Sequence, residues 1–206
     1  INTFVRDSHF SLSQINDSFD TNVNLIKSHY EYSSSYRNIV HLFRNPTDVM
    51  ISYYNYFLVF NKNVKIGNFS TFIRSRRGVI RWNSHTESYL NADLSVRYMP
   101  LSYERAVRDP GLVCRVHSTL LGIKLESSVI EKSIELSSRR NMTNFESAYN
   151  SGGRGKEGEL FTGKKVFSKQ DVTLEDLQFI ENSTSENFQR LSAIEGRFYD
   201  SMSKYL

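Results

Sequence analysis

The chain has 206 residues, of which 39% are hydrophobic and 23% are charged. This balance is typical of one globular domain with a single core, and it excludes disordered and fibrous proteins. The net charge of +4 is too small, over this much surface, to be the footprint of a nucleic-acid-binding protein. We therefore expect a single domain over residues 1–206, with no nucleic-acid partner.

The apolar runs and the cysteine content bear on where the protein works. No apolar run approaches the roughly 20 residues that a membrane-spanning helix needs. The single cysteine, Cys114, cannot close an intramolecular disulfide, which fits a reducing compartment such as the cytoplasm. Because the sequence begins with Ile1 and not with methionine, we expect that it lacks its natural start. A secretory-organelle lumen, reached through an upstream anchor, stays open as the alternative.

Short apolar runs that alternate with helical patterns predict an α/β domain with a mostly parallel sheet flanked by helices. Strands are predicted at residues 23–26, 38–43 and 95–99. Helices are predicted from Thr47 onward and over residues 111–121, 127–136 and 174–195. Residues 150–158 carry almost no apolar side chain and predict a polar, glycine-rich loop.

Charged residues follow two of the predicted strands, at Lys27-Ser28-His29 and at Phe43-Arg44-Asn45. Pro46 suits the first position of a helix, with Asn45 as its N-cap. A guanidinium at a strand end, followed at once by a helix start, is a good phosphate receptor, because Arg44 supplies a fork of donors and the helix dipole adds partial positive charge. Ser52, further along the helix, offers a hydroxyl. The alternative interpretation of Arg44 is a surface ion pair with Asp48, one turn on.

Residues 43–57, Phe-Arg-Asn-Pro-Thr-Asp-Val-Met-Ile-Ser-Tyr-Tyr-Asn-Tyr-Phe, closely resemble the 3′-phosphate-binding motif of sulfotransferases that use 3′-phosphoadenosine 5′-phosphosulfate (PAPS). Weaker similarities to the same family occur in the family's order at residues 27–29, 82–90, 96–110 and 155–159. The order and spacing carry the specificity, and the resemblance covers nearly the whole chain. It implies a sulfotransferase fold like that of P-loop kinases. It also implies transfer of a sulfuryl group from PAPS to a hydroxyl or amine acceptor, which is a small molecule or a glycan.

The resemblance also implies a role for individual residues. His29 is expected to be the general base that takes the acceptor proton, which suits a side chain with an unperturbed pKa of about 6.5. Lys27 is expected to help hold the transferring group. The other implied contacts hold the co-substrate: Arg44 and Ser52 at the 3′-phosphate, Arg154, Gly155 and Lys156 closing over it, and Tyr103 and Ser137 near the adenine. No metal is expected, since no cluster of His, Cys and Asp has ligand spacing.

The sequence departs from the family pattern in three places. The family's late loop opens with Arg-Lys-Gly, whereas Gly153-Arg154-Gly155 leaves one basic residue at that opening, and Leu160 replaces a tryptophan. Arg139 stands where an aromatic residue usually flanks the adenine, although a guanidinium can stack on a purine. The family's 5′-phosphosulfate loop and its strand do not occur before Lys27. Residues 2–22 are expected to form only a helix tail and a polar connection, and the chain is expected to be the C-terminal part of a longer protein.

Two alternative functions stay open. One is a catalytically inactive nucleotide-binding or interaction module of the same fold, and the other is a basic domain that binds RNA or heparin. Residues 61–81 carry six basic residues and no acidic one: Lys62, Lys65, Arg74, Arg76, Arg77 and Arg81. Such a run is usually a solvated face, but in the family it borders the acceptor site, so an anionic acceptor is a further hypothesis. Trp82 and His85 are interpreted as packing residues, and His41 and His117 receive no role. The sequence does not determine the oligomeric state.

Overall fold

The structure, a computed structural model, describes residues 5–7, 25–60, 64–92, 97–144 and 166–202. The strands in this part of the chain are β1 (Val5–Asp7), β2 (Leu25–Lys27), β3 (Asn38–Phe43) and β4 (Arg97–Ser102). The helices are α1 (Pro46–Phe60), α2 (Phe69–Arg74), α3 (Val79–Leu90), α4 (Tyr103–Arg108), α5 (Pro110–Leu121), α6 (Ser127–Leu136), α7 (residues 139–144) and α8 (Leu174–Met202). A short 3-10 helix, Lys169–Asp171, precedes α8.

All described strand pairs are parallel. Strand β1 pairs with β2, and β3 pairs with β4 in a register that places Asn38 opposite Arg97 and Phe43 opposite Ser102. Parallel strands need a crossover connection, and α1, α2 and α3 supply it between β3 and β4. The predicted α/β class with a parallel, helix-flanked sheet is therefore confirmed.

Most predicted elements match the structure. Strand β3 has the predicted bounds, and α5, α6 and α8 begin within one residue of their predicted starts. Residues 2–22 were expected to hold no strand, but β1 lies at Val5–Asp7, because a three-residue strand is too short to show a hydrophobic period. The predicted loop at residues 150–158 lies outside the described residues.

One hydrophobic cluster lies where α1, α2 and α8 meet. Its most deeply buried members are Met50, Phe72, Ile73 and Ile180, each at most 1% exposed. Burial of side chains of this size stabilises a domain by about 1.5–3 kcal/mol each. The cluster therefore holds α1, and with it the N-terminus of α1 beyond β3, in a fixed position.

Helix α3 follows α2 across a tight junction at Gly78. A β-carbon at Gly78 would lie 2.2 Å from the Ile73 carbonyl oxygen, so no other residue fits there without a backbone shift. Helix α3 is also tied to α8, because the Asn83 side-chain amide donates to the Ser183 carbonyl oxygen at 2.7 Å. Asn187 of α8 in turn donates to Asn83 and to Glu87, at 3.0 Å each.

A second cluster packs β4 against α5, with Leu101 and Val116 fully buried at its centre. Helix α5 is bounded by strong local signals. Asp109 caps its N-terminus by accepting from the Leu112 amide at 3.2 Å, and Gly122 ends it in the left-handed conformation, at a φ of 64°. Among the described helices, none is long and apolar enough to cross a membrane.

Candidate functional site

The register of β3 and β4 brings two predicted site residues together. Phe43 and Ser102 are opposite each other at the carboxyl ends of the two strands, so the next residues, Arg44 and Tyr103, leave the same edge of the sheet side by side. The Arg44 guanidinium lies over the Tyr103 ring, 4.5 Å from its centroid. This cation–π contact fixes the direction of a long side chain that would otherwise be free to rotate.

Two carboxylates also contact Arg44. One guanidinium nitrogen lies 3.2 Å from an Asp48 oxygen, and Nε lies 3.8 Å from Glu104 Oε1. The predicted ion pair with Asp48 is therefore present, but both of its side chains are about one third exposed. Arg44 Nε is buried and has no hydrogen-bond partner in the described part of the chain. The arrangement thus leaves one buried guanidinium donor unsatisfied at the sheet edge.

Helix α1 begins at this edge as predicted. Pro46 is its first residue, and the Thr47 amide donates to Asn45 Oδ1 at 3.0 Å, which confirms Asn45 as the N-cap. Asp48 and Ser52 are four residues apart on this helix and so lie on the same face. Ser52 is exposed and lies one turn after Asp48, the α1 residue that pairs with Arg44.

The segment that carries Lys27 and His29 leaves the end of β2, as predicted. Lys27 is the last residue of β2, opposite Asp7 of β1, and both Lys27 and His29 are exposed. The residues that follow, Tyr30 to Tyr36, pack against α3. The pKa of His85 of α3 is lowered by burial first, then by the charge of Arg81, and to a smaller extent by the charge of the nearby His29.

A buried cluster of aromatic and histidine rings lies beneath this segment, on the α3 side of β3. His41 of β3 is 7% exposed, and its Nδ1 lies 2.6 Å from the Tyr98 hydroxyl on β4. The rings of His85 and Tyr89 lie 5.5 Å and 4.7 Å from that of His41. The cluster therefore joins the His29 segment to β3, three residues before Arg44.

Burial sets the protonation of this cluster. Burial, and then the nearby charge of His85, lower the pKa of His41 to about 3. Burial and the charge of Arg81 lower the pKa of His85, with Glu31 opposing the shift. Burial also raises the pKa of Tyr89 to about 12. Near neutral pH the cluster is uncharged, and its tyrosine hydroxyls stay available as hydrogen-bond donors.

Four further predicted site residues are Ser137, Arg154, Gly155 and Lys156, and the structure describes only Ser137 among them. Ser137 caps the C-terminal end of α6, where its hydroxyl donates to the Ser133 carbonyl oxygen at 2.7 Å. Within the described residues, no hydrogen bond or ring contact joins Ser137 or Ser52 to Arg44 or Tyr103. Arg154, Gly155 and Lys156 lie outside the described residues.

One member of the basic run, Arg74, is tied into the fold by ion pairs. Arg74 pairs with Glu175 at 3.2 Å and with the buried carboxylate of Asp176 at 2.5 Å, and it lies over the Phe179 ring. This arginine joins α2 to α8 and is part of the fold. Arg76, Arg77 and Arg81 are exposed.

Some residues at the site were not found by sequence reasoning. Glu104 was noticed only as part of a family similarity, and its contact with Arg44 depends on strand register. Ser88 and Tyr89 hold the His29 segment through hydrogen bonds between residues 56 and 59 positions apart. No local sequence signal identifies such pairs.

Comparison with known proteins identifies the family. The family model of the sulfotransferase domain matches residues 8–192. Among solved structures, retinol dehydratase in complex with androsterone and the inactive cofactor PAP is similar, with a TM-score of 0.61 and 22% identity over 85% of this chain. This chain spans 56% of the length of that protein, and at such identity the likeness shows a shared fold. No curated protein sequence matches the chain. Because the family model covers most of its length, the chain belongs to the sulfotransferase domain family.

Proposed function

We propose that this domain transfers the sulfuryl group of PAPS to a hydroxyl or amine acceptor. The observation that supports this most directly is the Arg44 guanidinium, about one third exposed and held over the Tyr103 ring, at a sheet edge where a helix also begins. A phosphate oxygen can reach the exposed part of this guanidinium from solvent, and the amides at the start of α1 favour an anion at the same place.

The residues present fit the 3′-phosphate of the nucleotide. Arg44 would donate to it, and Ser52, on the same face of α1, would add its hydroxyl. The Tyr103 ring packs against one face of the Arg44 guanidinium. Tyr103 and Ser137 are also proposed to border the adenine. PAP in retinol dehydratase, a protein of the same fold, supports a nucleotide of this class.

Charge counting explains why more cations are needed. Arg44 brings one positive charge, while Asp48 and Glu104 bring two negative charges within 4 Å of it. Two carboxylates beside a phosphate dianion would repel it unless further cations lie nearby. We assign this role to Arg154 and Lys156, with Gly155 between them giving the backbone room to approach the phosphate.

The chemistry is an in-line displacement. PAPS supplies the activated sulfuryl group, and the leaving group is adenosine 3′,5′-bisphosphate. His29 takes the acceptor proton while the acceptor oxygen or nitrogen forms its bond to sulfur, and the bond from sulfur to the 5′-phosphate oxygen breaks. Lys27, two residues earlier, helps to hold the transferring group. The exposed position of His29 allows an acceptor to reach it from solvent. Androsterone in retinol dehydratase supports a small-molecule acceptor, with a glycan as the alternative.

Calorimetric titration of the natural full-length protein tests the nucleotide assignment. We expect adenosine 3′,5′-bisphosphate to bind at least about tenfold more tightly than ATP, because a single site for a 3′-phosphate discriminates between them. Equal affinity for the two nucleotides would contradict the proposal and favour the basic polyanion-binding alternative.

Replacement of His29 tests the chemical step. His29→Ala should lower kcat by roughly 10² to 10⁴, because a general base contributes a factor of that size. His117→Ala is the matched control, since the His117 ring bonds only to the Val113 carbonyl oxygen of its own helix among the described contacts. Nucleotide binding without any turnover in the wild type would support the inactive-module alternative.

A further inference from the structure

We propose that Tyr89 and Ser88 of α3 are positioning residues that hold the main chain on the C-terminal side of His29 and thereby aim its ring at the acceptor. This inference rests on the proposed function of His29. It gives a functional role to α3, the helix whose Trp82 and His85 the sequence predicts to be packing residues.

The contacts are made to the backbone of Tyr30 and Tyr32, one and three residues after His29. The Tyr89 hydroxyl donates to the Tyr30 carbonyl oxygen at 3.0 Å. The Tyr32 amide donates to Ser88 Oγ at 2.9 Å. One turn of α3 thus holds both a carbonyl and an amide of the same short segment.

The other side of His29 is held separately. Ser28 Oγ lies 3.2 Å from the Tyr36 hydroxyl and accepts from the Tyr30 amide at 3.1 Å. The Tyr32 ring packs edge-on against Tyr36 and Tyr89. His29 is therefore an exposed residue whose two neighbours, Ser28 and Tyr30, are hydrogen-bonded to the hydroxyls of Tyr36 and Tyr89.

Helix α3 can act as a fixed support because it is anchored in turn. Asn187, 6% exposed, bridges Asn83 and Glu87 from α8, and Tyr89 is itself 7% exposed. The support therefore runs from the core through α3 to the His29 segment. A misplacement of a catalytic group by about 1 Å can cost a factor of 10² in rate, so an exposed base in the segment after a short strand needs such a support.

The test uses a hydroxyl deletion with a closely matched control. Tyr89→Phe keeps the ring and removes only the bond to the Tyr30 carbonyl oxygen. Tyr54→Phe removes an equivalent bond, since the Tyr54 hydroxyl donates to the Gly67 carbonyl oxygen at 3.1 Å and Tyr54 is also 7% exposed. Each variant loses one hydrogen bond from a tyrosine hydroxyl to a backbone carbonyl, and both tyrosines are equally buried. Only Tyr89 contacts the His29 segment.

Two measurements are made on the full-length protein. In Tyr89→Phe we expect the Tyr32 amide to exchange its hydrogen with solvent about tenfold faster, because one hydrogen bond fewer then has to break when this segment opens. We expect kcat to fall about tenfold with an unchanged KM for PAPS, because the nucleotide site at Arg44 is on other elements. Tyr54→Phe should leave exchange at the Tyr32 amide unchanged, and because Tyr54 lies on α1, any effect on turnover should appear in the KM for PAPS. Ser88→Ala, which removes the acceptor of the Tyr32 amide, should accelerate exchange at that amide as well.

Unchanged exchange and kcat in Tyr89→Phe, or equal changes in Tyr54→Phe, would overturn the inference. Faster exchange with an unchanged kcat would overturn it too, because the support would then have no effect on the base. A failure of the proposed function looks different: His29→Ala would keep full turnover, or the wild type would have none. In that case the exchange rates of Tyr89→Phe and Tyr54→Phe alone decide whether α3 holds the segment.

Discussion

At the scale of single residues, Arg44 shows how an ion pair and the proposed binding role can coexist. Asp48 contacts one guanidinium nitrogen and the Tyr103 ring lies against one face, so they orient the side chain and leave the rest of its exposed part able to bind. An ion pair between side chains that are each about one third exposed contributes at most about 1 kcal/mol to stability. Its value here is that it removes side-chain disorder before a ligand arrives.

Replacement of Arg44 by lysine tests whether nucleotide binding depends on the shape of the guanidinium or only on its positive charge. Lysine keeps the positive charge but lacks the planar fork and packs less well over Tyr103, so Arg44→Lys should weaken binding of adenosine 3′,5′-bisphosphate by about tenfold or more. Isothermal calorimetry measures the change. Arg105→Lys is the control, since Arg105 has the same kind of surroundings, a Glu195 carboxylate at 3.4 Å and the Tyr199 ring at 4.6 Å. Equal losses in both variants would mean that Arg44 does not contact the nucleotide.

The predictability of site residues depends on how far their partners lie along the chain. Asn45 and Asp48 could be predicted, because a helix N-cap and an i,i+4 pair are local patterns. The stacking of Tyr103 on Arg44 depends on strand register, and the hold of Tyr89 on Tyr30 spans 59 residues. Such contacts are set by the packing of whole elements, so sequence patterns could not identify them.

At the scale of elements, the start of α1 is both a structural and a functional feature. The Asn45 side chain satisfies the Thr47 amide and holds the first turn beside Arg44. Asn45→Ala should lower the free energy of unfolding by about 1 kcal/mol through loss of the cap. It should also weaken nucleotide binding severalfold, because the first turn then frays where we propose that the phosphate binds. Chemical denaturation and calorimetry measure the two effects.

Helix α2 offers a matched control for this cap. Asn68 caps α2 in the same way, accepting from the Thr71 amide at 2.9 Å, and it lies outside the Arg44 region. Asn68→Ala should therefore cost a similar free energy of unfolding and leave nucleotide affinity unchanged. If both variants weaken binding equally, the effect reflects general loss of stability and not the position of α1.

The elements that sequence patterns predicted are those with strong local signals. Strand β3 has a buried alternation, and α5 has an Asp-Pro start and a glycine stop. Helices α2 and α4 are only six residues each, too short for a clear helical period, and they form because of the elements around them. Their positions follow from tertiary packing, such as the Arg74–Asp176 pair between α2 and α8.

At the scale of the whole molecule, α8 connects the two parts of the described site. Near its N-terminus it packs on α1 and α2, and in its middle it holds α3 through Ser183 and Asn187. Near its C-terminus the buried Glu195 accepts from the Ser102 amide at 2.7 Å, at the end of β4 and next to Tyr103. One long helix thus fixes both the edge that carries Arg44 and the support beneath His29.

The buried histidines predict how the stability of the whole domain depends on pH. The pKa of His41 is about 3 in the folded state, and that of an unfolded histidine is about 6.5. Between these values the unfolded state binds more protons, so stability is lost as pH falls below about 6.5. Each such group contributes a slope of about 1.4 kcal/mol per pH unit. Urea unfolding at several pH values from about 6 to 4.5, above the usual titration of aspartates, measures this slope.

The variant His41→Gln isolates the contribution of His41. Glutamine keeps a polar group for Tyr98 but does not titrate, so the pH slope of the free energy of unfolding should fall by about 1.4 kcal/mol per unit, leaving a smaller slope from His85, whose pKa is also lowered by burial. Comparison of slopes is independent of any constant loss of stability in a variant. If His41→Gln keeps the full slope, the acid sensitivity arises elsewhere and the ring cluster beneath the His29 segment is not held in its neutral form by burial.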